Sequence, residues 1–189
     1  MIILSKKKLK FILGFFVAAF VILILIENSG KLIYPLKYKE YVYRYSYQNG
    51  IDPYLVFAII KAESNFDPNA TSPKNARGLM QITDKTGLWG ADKLKIENFS
   101  NQSLYDPETN ITIGCWYISR LMREFGGDVD LVITAYNGGS GNVNEWLKNR
   151  EYSDTGNTLD RIPFKETTVY LKRVKNFYIS YKELYGKDV

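Results

Sequence analysis

The chain of 189 residues contains no histidine and a single cysteine, Cys115. Those absences exclude histidine-based catalytic triads, zinc sites of the usual His/Cys type and any intramolecular disulfide. Cys115 sits in a helical-looking Gly-Cys-Trp-Tyr run and reads as a small buried apolar residue. Low-complexity tracts and repeats of fixed period are also missing. A large charge of one sign is lacking outside the N-terminus. Of 25 basic and 20 acidic residues, four lysines and Glu27 lie within the first thirty, which leaves 21 against 19 in the remainder. That balance gives no support to a nucleic-acid partner. Chemistry in this chain has to run on carboxylates, hydroxyls or lysines.

What is present is enough sequence for one domain with a hydrophobic core and an appended segment. The segment is N-terminal. Residues 11–26 are an unbroken apolar run, interrupted only by Gly14, behind Lys6, Lys7, Lys8 and Lys10. The run is slightly short for a hydrocarbon core of roughly 30 Å, but flanking lysines can snorkel to the interface. The expectation is a basic cytoplasmic N-terminus over 1–10, a single-pass transmembrane anchor over 11–26, a linker over 27–37 and a domain over 38–189. The positive-inside rule places that domain outside the cytoplasmic membrane. The alternative is a signal peptide and a secreted domain, although no Ala-x-Ala site follows the run. No cysteine lies near enough for a lipid anchor.

The remainder reads as a mainly helical domain. Tyr38, Tyr41, Val42 and Tyr45 fit a helical period, whereas Tyr41, Tyr43, Tyr45 and Tyr47 alternate like a strand; Gly50 as a C-cap favours helix. Asp52-Pro53 is an N-cap followed by proline, which predicts a helix to about Ser64. Leu55, Ile59 and Glu63 are spaced four apart on it, so Glu63 ends an apolar stripe and Lys61 points the other way. Residues 65–75 read as loop, 78–83 as a short extended piece, and 84–103 as loop with at most one short helix. Asp106-Pro107 opens a helix that stops at Gly126-Gly127, Asp128 caps another ending at Asn137 to Gly139, and further helices are expected near 143–148 and 165–185.

A carboxyl that continues an apolar stripe is costly to ionise, so Glu63 is a candidate general acid. Around it stand Glu63-Ser64, then Gly78-Leu79-Met80-Gln81, then Ala135-Tyr136-Asn137-Gly138, in that order. On these residues the chain resembles the soluble lytic transglycosylases, whose fold is goose-type-lysozyme-like. Leu104 to Ile111 with Gly114, and Ile162 to Tyr170 with its Glu-Thr-x-x-Tyr element, extend the resemblance over residues 40–185.

The resemblance implies that Glu63 is the catalytic acid/base and that Ser64 supports the site. It implies further that Met80 and Gln81 line the glycan groove, that Tyr136 and Asn137 orient the sugar, that Glu166 is a polar contact in the cleft, and that Tyr170 supports its segment. The implied reaction cuts the bond between N-acetylmuramic acid and N-acetylglucosamine in peptidoglycan and leaves a 1,6-anhydromuramoyl end. Expected partners are glycan strands and the cytoplasmic membrane, with a monomeric enzyme and no cofactor or metal. Three alternatives stay open: a hydrolytic muramidase with Asp84 as a second carboxylate, a non-catalytic peptidoglycan-binding module, and an interaction protein whose Tyr38 to Tyr47 stretch docks a partner.

Overall fold

The computed structural model describes residues 6–186, without the side chains at 6, 8, 9, 11, 13 and 21–29. Two compact units divide at Pro35 and Leu36. The first holds one helix, α1 (Lys6–Ile33), which continues through much of the stretch 27–37 that the sequence reads as a linker. Among the described residues no helix is long and apolar enough to cross a membrane. The expected transmembrane segment over 11–26 is therefore not supported by the structure, and part of the expected N-terminus over 1–10 lies outside the described residues.

The second unit is helical, with no strand among the described residues and two isolated antiparallel bridges that join Arg77 to Thr71 and to Ile82. Its helices are α2 (Lys39–Gln48), α3 (Pro53–Ser64), α4 (Asp84–Leu94), α5 (Pro107–Glu124), α6 (Val129–Gly138), α7 (Ser140–Lys148) and α8 (Lys165–Tyr185), with a 3₁₀ turn at Asn101–Tyr105. The tyrosine-rich stretch is helical, because Val42 and Ser46 are buried at i and i+4 and Ile51 N–H closes the end on the Ser46 carbonyl.

At the centre lies α3, packed between α2 and α8. Asp52 caps it through the Tyr54 N–H at 2.9 Å and also accepts from Tyr178 Oη of α8 at 2.6 Å. Every residue from Pro53 to Ile60 is buried. The sequence showed one apolar stripe, but α3 is enclosed all round for two turns, which is how an interior helix differs from a surface one.

The stretch 84–103 departs from expectation by forming an eleven-residue helix. Its period was weak in sequence because Gly87, Gly90 and Ala91 occupy its buried face. Smallness is what that face needs: a Cβ on Gly90 would lie 2.7 Å from Ile113 Cγ2 of α5. Close packing on α5, with Thr83 Oγ1 capping Thr86 N–H, outweighs the glycines' poor helix propensity of about 1 kcal/mol each.

The loop between α3 and α4 is tied down by Asn110 of α5, whose side chain is fully buried. Its Oδ1 accepts from Met80 N–H at 2.8 Å, and its Nδ2 donates to the carbonyls of Leu104 at 2.7 Å and Arg77 at 2.9 Å. Replacing Asn110 with Ala strands the buried Met80 N–H and Leu104 carbonyl, while the Arg77 carbonyl keeps the Ile82 N–H at 3.0 Å, and we expect a loss of about 3 kcal/mol in urea unfolding; a loss below about 1 kcal/mol would show that the clamp is dispensable.

Candidate active site

Glu63 occupies the last turn of α3, one turn beyond the fully buried Ile59. Tyr170 of α8, itself 2 % exposed, donates its Oη to Glu63 Oε1 at 2.6 Å. Burial raises the carboxyl pKa from its ordinary value to about 7; the hydrogen bond from Tyr170 and the charge of Arg173 oppose that rise, and the charge of Glu166 adds to it. Tyr170 is pushed well above a normal phenol by burial and by the charge of Glu63, so it stays a donor. The Arg173 guanidinium lies 5.7 Å from the Tyr170 ring centre. The group is thus set to exchange a proton near neutrality.

Opposite stands the Gly78–Gln81 turn. Gly78 has φ 74°, and a Cβ there would lie 2.2 Å from the Leu104 carbonyl oxygen, so only glycine fits. Gln81 is also left-handed, at φ 47°. Three side chains fasten the turn's carbonyls. Ser64 Oγ donates to Leu79 at 2.8 Å, Tyr136 Oη donates to Met80 at 2.8 Å, and Gln81 Nε2 donates to Gly78 at 3.0 Å and to Ala70 at 3.1 Å. Ser64 therefore works as a strut from α3 to the turn. Met80 is fully buried against Gly114, where an added Cβ would meet its sulfur at 2.2 Å. It offers no surface to a ligand in this conformation.

Between α3, the turn, α6 and the start of α8 opens a cleft of about 580 Å³, whose walls include Glu63, Gln81, Tyr136, Asn137, Glu166 and Phe164. Five of the seven residues singled out in sequence thus meet at one cavity, while Ser64 and Met80 stand behind it. Asn137 Oδ1 accepts from Thr167 Oγ1 at 2.8 Å, which leaves Nδ2 as the donor end of the amide. A second groove of about 290 Å³ shares Gln81, Thr83, Tyr136 and Asn137 with the first and adds Thr86 and Tyr117. Among the described residues no three His, Cys, Asp or Glu side chains cluster as a metal site.

Asp84 does not line either cavity. It opens α4 and forms an ion pair with Arg77. Cys115 is buried, and burial pushes its thiol well above the usual range. Sequence reasoning missed Arg173, the cleft aromatic Phe164 and the groove aromatic Tyr117, and gave Tyr170 only a supporting role. A signal was available: Glu166, Tyr170 and Arg173 fall at i, i+4 and i+7 of α8, which places all three on one face.

Three comparisons bear on the site. The transglycosylase SLT domain model matches residues 40–158. The chain is 35% identical over 155 residues to the soluble lytic murein transglycosylase of Escherichia coli K12, covering 81% of this chain and 24% of that protein. It is 40% identical over 118 residues to the membrane-bound lytic murein transglycosylase C of Photorhabdus laumondii, covering 57% and 32%. Among solved structures, the 70 kDa soluble lytic transglycosylase of E. coli superposes with a TM-score of 0.74 at 32% identity, over 83% of this chain and 26% of that one. The chain thus spans about a quarter of the length of the soluble relatives it matches.

The raised pKa of Glu63 couples folding to pH. Between the unfolded value of 4.5 and the folded value of about 7 the folded state holds the extra proton, so stability falls as pH rises through that window and then levels off. Glu63→Gln removes the penalty. We expect it to stabilise the protein by about 3 kcal/mol above pH 7 and not at all below pH 4.5 in thermal unfolding; a gain independent of pH would mean that the carboxyl is not desolvated.

Proposed function

Because the chain belongs to the transglycosylase SLT domain family, we propose that it cleaves peptidoglycan glycan strands with Glu63 as its only acid/base. The observation that carries this reading is the carboxyl held near pKa 7 at the wall of the cleft. Protonated Glu63 gives its proton to the oxygen bridging N-acetylmuramic acid and N-acetylglucosamine, and the bond from the anomeric carbon to that oxygen breaks. The substrate's own 2-acetamido oxygen bonds to the anomeric carbon and takes up its developing charge, so no second carboxylate is needed.

Glu63, now ionised and stabilised by the Tyr170 hydrogen bond, removes the proton of the muramoyl 6-hydroxyl. The freed oxygen displaces the acetamido group and closes a 1,6-anhydro ring, and Glu63, protonated by the hydroxyl it has deprotonated, is back in its starting form. Binding of the sugar falls to Tyr136, Asn137, Gln81 and Glu166, with Phe164 as an exposed ring at the mouth. Asp84, paired with Arg77 and outside the cleft lining, supports the single-carboxylate scheme over a water-consuming one.

In this reading the apolar run over 11–26 holds the enzyme at the cytoplasmic membrane with its domain outside. The basic cluster Lys6, Lys7, Lys8 and Lys10 before the apolar run supports it. The full chain should then stay in the membrane pellet through alkaline carbonate extraction, and its release to the supernatant would sink the anchor.

For the chemistry, digestion of purified peptidoglycan by the full chain should release anhydromuramoyl ends by mass spectrometry, at least about 100-fold fewer with Glu63→Gln, and the rate should fall as pH rises through about 7 because the acid form is lost. Reducing muramic ends, heavier by one water, would mean hydrolysis. Glycan bound but uncut by the wild-type protein would leave a binding module.

A further inference from the structure

The aromatic lining of the second groove does not stop at its rim. Tyr136 and Tyr117 have ring centres 5.6 Å apart, Tyr117 and Trp116 6.4 Å, and Trp116 meets Trp89 at 5.0 Å in an edge-to-face arrangement. This ladder leads from the wall of the Glu63 cleft along α5 to Trp89, which stands at the edge of the contact between α4 and α5, one turn along from Thr86 of the groove. Trp89 is 37 % exposed and its neighbour Leu88 57 %.

The exposed ring is braced. α4 approaches α5 so closely at Gly90 that a Cβ there would lie 3.2 Å from Trp116 Cε3. The Arg120 guanidinium sits 4.6 Å from the Trp89 ring centre, and Arg120 is held in turn by an ion pair with Glu124, which also accepts from Asn144 Nδ2 at 2.7 Å. A large aromatic residue fixed in place but left partly in water loses little conformational freedom when a flat partner arrives.

We propose that Trp89, by the part of its ring that Arg120 leaves uncovered, is a distal sugar-binding platform that stacks on a pyranose ring of the same glycan strand whose scissile bond lies at Glu63. The occupant follows from chemistry and continuity. A pyranose presents an axial C–H face that suits an aromatic ring, and the hydroxyl and acetamido groups at its edge suit the polar side chains of the adjoining groove. The groove that opens beside the cleft is lined by Thr86, Tyr117, Gln81 and Asn137, the mixture of rings and polar groups that a saccharide chain needs along its length, and Thr86 precedes Trp89 by one turn of α4. The proposal rests on the glycan-cleft reading above. It adds that affinity depends on strand length and that a strand can be held outside the catalytic cleft.

The test uses the full chain carrying Glu63→Gln to prevent turnover, and measures binding of β-1,4-linked N-acetylglucosamine oligomers by calorimetry. The hexasaccharide should bind more tightly than the trisaccharide. Trp89→Ala should weaken the hexasaccharide by roughly 3- to 10-fold while leaving the trisaccharide unchanged, and Trp89→Tyr should restore most of the loss. Unchanged melting temperatures exclude a folding defect, and the tyrosine variant carries the test if alanine unfolds the domain. Equal binding of the hexasaccharide by all three proteins overturns the platform and leaves the cleft intact. The platform is equally overturned if Trp89→Ala alters only binding to anionic phospholipid vesicles, since the patch would then face a membrane. Failure of both oligomers to bind any variant removes the cleft reading itself, and the platform with it.

Discussion

A carboxyl at the end of a helix that is buried on every side is the constraint from which the site follows. α3 has no wet face from Pro53 to Ile60, so Glu63 emerges from the core at the point where water first becomes available. Desolvation lifts its pKa, and the surrounding groups decide how far. Tyr170 and Arg173 hold the rise to about 7, where the acid and base forms are both accessible. Without them the group would resist ionising; in open water it would rarely be protonated.

The opposing wall is made of backbone, and backbone needs anchoring to serve as a wall. Asn110, Ser64 and Tyr136 each reach the 77–80 segment from a different helix, and between them they satisfy one N–H and three carbonyls. Several residues that look like ligand contacts in a motif are in this sense structural. Met80 fills the hollow over Gly114, and the Gln81 amide closes its own turn. Tyr136 does both, since its hydroxyl holds the turn while its ring faces the cavity.

Long, capped elements were legible in the sequence because the physics that makes them is local. Asp52, Asp106 and Asp128 each cap the helix expected of them, and Gly126-Gly127 ends α5 where the sequence places the stop. α4 was not legible. Its buried face is glycine and alanine, which carry no hydrophobic signal and gain their value only from the surface of α5 against them. The 40–50 segment was ambiguous for a related reason: tyrosine fits either period, and only the burial of Val42 and Ser46 distinguishes them.

The sequence by itself determined the helical class, the lack of histidine and of an intramolecular disulfide, and the carboxyl of Glu63 at the end of an apolar helical stripe, because each depends on residue type and on spacing of no more than a few turns. Tertiary structure alone decided which motif residues face the cavity and which brace it. Ser64 lies next to Glu63 in the chain, yet it points to the Leu79 carbonyl, whereas Tyr170, 107 residues away, supplies the hydrogen bond to the acid. The physical reason is that proton affinity and ligand access are properties of an enclosure, and the enclosure around Glu63 is built by α3, α6 and α8 packing together.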